Sequence, residues 1–208
     1  MNAHHTKRQE QAAARREQLL QTALLLFSEK GYRATSVRDI ARSAGVNEAL
    51  LYHYFDSKAD LFRAVLAQYA PFRAIGPFLG SPASSPAQLA LGDALLAFGR
   101  DFLARMREYR AFVVTMLSEA PSDPELGTIL SAFLRATGDE MARFLAEYRD
   151  AGQIDPQAPI EAASRVLQGS LLFHFLAEAL RPPSAPADEE NAALRDIVSV
   201  LLSGLLPR

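Results

Sequence analysis

Between residues 47 and 58 the chain reads NEALLYHYFDSK, in which phenols, an imidazole, carboxylates and a lysine amine stand among leucines and a phenylalanine. Read as a helix, this stretch puts Leu51 and Phe55 on one face at i, i+4, and turns Glu48, Ala49, Tyr52 and His53 outward. An outward face of this kind suits hydrogen bonding to a partner better than bond-making. The chain has no cysteine, no glycine-rich phosphate loop, no His-x-x-x-His or Glu-x-x-His pair and no serine in a nucleophile elbow. Two of the four histidines are the adjacent His4 and His5, whose position in an N-terminal tail fixes no metal geometry. No metal, no cofactor and no catalytic residue is expected. An all-α enzyme is the alternative, and it would have to use His174, the lone imidazole of an apolar stretch.

The elements that would hold this face are short helices joined by tight turns. Leu20, Ala23, Leu24 and Phe27 recur at helical spacing, and Gly31 supplies a stop. Ser36 with Asp39 three residues on resembles a capping box, opening a second helix with Val37, Ile40, Ala41 and Ala44 on one side. Asn47 caps a third helix, and Asp56 or Ser57 a fourth that runs to about Tyr69. Ala41 is small where two helices cross, Gly45 can take the positive φ of the turn, and Leu51 fills the core between them, which is the spacing of a helix-turn-helix. The residues before Arg16, including Lys7, Arg8 and Arg15, are expected to form a disordered, solvated tail; a minor-groove arm is the other reading.

Residues 71–86, with four prolines and two glycines, read as a loop. Helical periodicity then fills 87–107, 109–119, 124–151, 159–181 and 189–206, with no strand alternation. The fold class is all-α. Charge is unevenly spread: residues 1–63 carry ten Lys/Arg against seven Asp/Glu, although the whole chain is net -2. A basic head points an anionic partner to that end. No stretch approaches the roughly 20 apolar residues of a membrane helix, so no membrane partner and a cytoplasmic location are expected.

Residues 24–62, LLLFSEKGYRATSVRDIARSAGVNEALLYHYFDSKADLF, resemble the tetracycline-repressor (TetR) family of bacterial regulators. The Phe-x-x-x-Gly-Tyr, Thr-Ser-Val-Arg-Asp-Ile-Ala, Ala-Gly-Val and Leu-Tyr-x-Tyr-Phe-x-x-Lys elements occur in order at the family's spacing. The resemblance implies a three-helix DNA-binding domain over 1–56 and a helical effector-binding and dimerisation domain over 57–208, about nine helices in all. It implies that Asn47 to Phe55 is the recognition helix, with Asn47, Glu48, Ala49 and His53 facing base edges. Thr35, Ser36, Tyr52 and Lys58 would then contact phosphates, and Arg38 would reach a base. Beside those roles stand plainer ones: packing for Tyr52, solvation for Lys58, and an exposed ring without base contact for His53.

The same resemblance implies a ligand-responsive repressor that binds a palindromic operator in double-stranded DNA as a homodimer; activation is the alternative. Val166 and Ser170 on the penultimate helix, with Leu194, Ile197, Val198, Leu201, Leu202 and Leu205 on the last, are expected to form the dimer interface. Phe98, Phe102, Met106, Phe112, Met116, Phe133, Phe144, Tyr148, Phe173 and His174 are the candidates for an effector pocket. Their character suggests a small, mainly apolar ligand.

Overall fold

The computed structural model describes residues 3–69, 85–181 and 190–206; the side chains of residues 3–7, 190 and 191 are outside that description. Nine α-helices occur among the described residues, without a strand. They are α1 (Ala3–Ala34), α2 (Val37–Ser43), α3 (Glu48–Tyr54), α4 (Lys58–Tyr69), α5 (Leu91–Glu108), α6 (Arg110–Glu119), α7 (Pro124–Asp150), α8 (Ile160–Ala179) and α9 (Glu190–Leu205), with a 3-10 turn over Ala120–Ser122. The class is all-α, as the periodicity predicts. Most of the expected loop over 71–86 and most of the proline-rich 181–188 segment fall outside the described residues.

Local chemistry explains the short elements. α1 loses helical geometry at Gly31, whose φ of 84° and ψ of 169° suit only glycine. Ser36 and Asp39 form a reciprocal capping box at the start of α2, the Asp39 N–H donating to Ser36 Oγ and the Ser36 N–H to Asp39 Oδ2, both at 3.1 Å. Beyond α2, Gly45 takes a φ of 68° while its N–H donates to Arg42 O and that of Val46 to Ala41 O, a glycine-terminated helix end. Asn47 Oδ1 accepts from the Leu50 N–H at 2.8 Å and starts α3. For α4 the cap is Ser57, whose Oγ accepts from the Asp60 N–H.

The N-terminal tail is a correction. Helix α1 begins at Ala3, so Arg8, Arg15 and Arg16 stand on a helix and not on a disordered arm. Gln18 holds this helix to the rest of the head by donating from Nε2 to Ala44 O at 3.0 Å. Sequence spacing does not report an anchor of this sort, because its partner is 26 residues away.

Contacts divide the chain into two groups, residues 1–70 with 109–132, and residues 71–108 with 133–208. Packing therefore groups α4 and α6 with the three helices before residue 56, a wider group than the 1–56 unit that the resemblance implies. The first group centres on Phe27, Tyr32 and Phe62, whose ring centroids are 5.0–5.7 Å apart, with Phe112 tilted against Phe62 at 5.9 Å. The second buries Leu95, Phe98, Phe102, Phe144, Tyr148, Leu171 and Phe175, and α9 packs on α5 and α8. Among the described residues no helix is long and apolar enough to cross a membrane.

Candidate nucleic-acid interface

Helix α3 is fixed from below and open above. Leu51 and Phe55 are buried, whereas Glu48, Ala49, Tyr52 and His53 are exposed, so the face inferred from helical spacing is the face presented. Tyr52 is 50% exposed, so its ring and hydroxyl are open to a partner. The His53 ring meets Tyr54 edge-on, with centroids 5.3 Å apart at 80°, which limits its swing. Arg38 on α2 is exposed and lies with Nε 4.0 Å from Glu48 Oε1. A contact that long between exposed groups contributes little to stability, but it places the Arg38 guanidinium beside α3 and partly neutralises Glu48.

Three expected phosphate contacts look different in detail. Thr35 is only 1% exposed and its hydroxyl donates to Gly31 O at 2.7 Å and Leu26 O at 3.2 Å, so it secures the end of α1 and cannot reach a phosphate. Lys58 is half-buried, donates from Nζ to Tyr32 O at 2.9 Å and Thr35 O at 3.2 Å, and sits 4.1 Å above the Tyr32 ring. Its amine already has two carbonyls and a π face, which makes it a brace between α4 and the end of α1. Ser36 is exposed, but its N–H and hydroxyl both donate to Asp39. Those bonds, the hydroxyl's first, hold the Asp39 carboxyl below its usual range.

Beneath this surface lies a cluster that sequence spacing does not report. The Tyr32 N–H donates to Glu119 Oε2 at 2.8 Å and its hydroxyl to Glu125 Oε2 at 2.6 Å. Burial, and then the bond to Glu125, push the Tyr32 hydroxyl far above the ordinary tyrosine pKa. Further along, Glu17 of α1 accepts from Gln68 and Tyr69 at the far end of α4. Helix α4 is thus pinned to α1 at both of its ends.

The body residues divide. Phe98, Phe102, Met106, Phe144 and Tyr148 are buried in the second group, while Phe133 and His174 are half-buried. Phe112 and Met116 belong instead to the first group, beneath the head. Phe173, expected in the pocket, is 73% exposed. Between α7 and α8 opens a cleft of about 500 Å³, lined by Leu134, Ala142 and Leu172 together with the charged Arg135, Asp139, Glu161 and Arg165, where buried Gln168 Nε2 lacks a hydrogen-bond partner. The dimer candidates also split. Leu194, Val198, Leu201 and Leu205 are buried within their own chain, because the stripe of α9 packs on α5 and α8 and is not free for a partner. Val166 is exposed, as is Val200 on the opposite side of α9, and Ser170, Ile197 and Leu202 are half-buried. The described residues hold no group of three or more His, Asp or Glu side chains placed to share a metal ion.

A capped helix, a glycine turn and a second helix with an exposed polar face form a helix-turn-helix. Residues 19–65 match the family described as bacterial regulatory proteins, tetR family. The HTH-type transcriptional repressor KstR2 of Mycolicibacterium smegmatis is 48% identical over 59 residues, 28% of this chain and 29% of that protein. This match therefore takes in less than a third of the relative. The HTH-type transcriptional regulator RutR of Escherichia coli is 26% identical over 211 residues, covering 97% of this chain and 95% of RutR. Among solved structures, Salmonella enterica GusR superposes with a TM-score of 0.70 at 22% identity, covering 91% of this chain and 96% of GusR. The TetR family transcriptional regulator PfmR of Thermus thermophilus gives 0.57 at 27% identity, covering 91% and 99%. Residues 19–65 are thus similar to the tetR family of bacterial regulatory proteins, and over most of the chain the fold is that of the TetR family regulator PfmR.

Proposed function

We propose that the protein represses transcription as a homodimer on a palindromic operator and releases it when a small, mainly apolar effector binds. The carrying observation is α3, with Leu51 buried beneath it and Glu48, Ala49, Tyr52 and His53 exposed on one face. A helix so presented fits the major groove, where side chains meet base edges. Arg38 suits guanine O6 and N7, Asn47 caps the reading helix at the edge of that face, and Tyr52 and the backbone around Ser36 suit phosphates. Lys58 and Thr35 serve by positioning α4 and α2.

For the dimer, the exposed side of α8 supplies Val166, Gly169, Phe173 and Ala177 at helical spacing, and Val200 lies exposed on α9. An apolar stripe of that kind favours burial against a second copy. Two heads about 34 Å apart would meet successive major grooves. For the effector, the α7–α8 cleft offers Leu134, Ala142 and Leu172 as apolar lining, one unsatisfied amide donor, and the charged Arg135, Asp139, Glu161 and Arg165 beside them, a mix that suits a ligand with few polar anchors.

The test is titration of the purified protein against duplex DNA flanking its own gene, beside an unrelated duplex. Tight binding to a palindrome that Tyr52→Ala weakens at least tenfold is the expected result. Equal, weak binding to both duplexes by wild type and variant would refute the reading.

A further inference from the structure

The N-terminal half of α1 runs beside α3, and the two enclose a groove of about 640 Å³. Arg8, Gln11, Arg15 and Gln18 line one wall, and Leu50, His53 and Tyr54 the other. Arg8 and Arg15 are both exposed and, seven residues apart, share one face of the helix. No carboxylate lines the groove. Glu17, the acid nearest Arg15 in sequence, is engaged by Gln21, Gln68 and Tyr69.

The wall is also held in place. Arg15 Nη1 donates to Gln18 Oε1 at 2.7 Å, and Gln18 Nε2 donates to Ala44 O in the turn that leads into α3. Arg15 is thereby tied to the same turn that orients the reading helix. Arg8 has no ion pair among the described residues. We propose that this groove seats one backbone strand of duplex DNA, with Arg8 and Arg15 contacting separate phosphates; the inference rests on α3 being the DNA-reading helix.

Geometry selects a strand over a free anion. Seven residues of helix separate the two guanidinium stems by about 10 Å, too far to share one phosphate. A DNA strand presents a phosphate about every 3.4 Å along the axis, so both arginines can be met at once. His53 belongs both to the groove and to the outward face of α3. The strand bordering the groove that α3 reads would therefore pass between the walls.

The experiment measures DNA affinity of the full chain across a salt series for wild type, Arg8→Ala/Arg15→Ala, Arg8→Lys/Arg15→Lys and Gln18→Ala. Each lost phosphate contact reduces the log-log salt slope by about 0.9, so the alanine pair should lower it by about 2 per chain bound. Affinity should fall about tenfold or more on specific and unrelated duplexes alike, with helix content by circular dichroism unchanged. The lysine pair should restore the slope, and Gln18→Ala, which removes the tether but no charge, should keep it. If wild type binds DNA and the alanine pair retains its slope, the groove assignment is overturned while the α3 reading stands. If wild type binds no duplex, the α3 reading fails and this inference falls with it.

Discussion

Gly31 concentrates two separate demands on one residue. Its φ and ψ lie where only glycine is comfortable, and an added Cβ would fall on the Glu119 carboxylate that accepts from Tyr32. Gly31→Ala should cost about 3 kcal/mol, the upper end for a strained backbone, by urea unfolding. Gly31→Ala/Glu119→Ala removes the clash and leaves the strain, so it should recover only part of the loss; full recovery would exclude the backbone contribution. Gly45 tests strain alone, since its Cβ would meet open space. Its alanine variant should lose about 1–2 kcal/mol, the left-handed penalty for a residue with a Cβ. Tyr32 adds a pH dependence. Its raised pKa means that its hydrogen bond stabilises the fold fully below the ordinary tyrosine pKa of 10.0, and that this stabilisation is lost as pH climbs from there to the raised value. The stability advantage of wild type over Tyr32→Phe should therefore be present at neutral pH and shrink in strongly alkaline solution, and an advantage independent of pH would contradict the assignment.

At the scale of elements, Lys58 separates bracing from DNA contact. An amine shared by two carbonyls and a ring face stabilises the junction of α1 and α4, so Lys58→Met should lower the thermal midpoint. Phosphate contacts set the salt slope of DNA binding, so a brace leaves that slope unchanged, whereas loss of a clamp lowers it by about 0.9. This element-level role was not legible in the sequence, and the reason is distance. The Ser36–Asp39 box could be read because its partners are three residues apart and their types announce the cap. The outward face of α3 could be read because Leu51 and Phe55 fix its inward side. Lys58 finds its carbonyls 23 and 26 residues away, and Tyr32 its carboxylates 87 and 93 residues away, at spacings that no local pattern encodes. Thr35 likewise sits in a motif that suggests a surface role, while its hydroxyl is turned into the α1 end.

For the whole molecule, the stripe on α9 shows what periodicity can and cannot say. Leu194, Val198, Leu201 and Leu205 announce a buried face, but not whether their own chain or a second copy buries it. Leu194 lies so close to Gly99 of α5 that a Cβ there would overlap its methyl groups, which makes it a core residue. Leu194→Ala should therefore destabilise the fold by about 2–5 kcal/mol, the range for a buried leucine truncation. Phe173 and Val166 face solvent on α8 and are the groups a second copy can cover. Phe173→Asp should keep the wild-type thermal midpoint at high dilution yet sediment as a monomer at concentrations where wild type is dimeric. Its affinity for a two-half-site duplex should collapse toward that for a single half-site, and the salt slope should fall by about half, since one head carries half of the phosphate contacts. A Phe173→Asp protein that still sediments as a dimer would remove α8 from the interface, and the slope would then identify the number of heads on the DNA independently of where the chains meet.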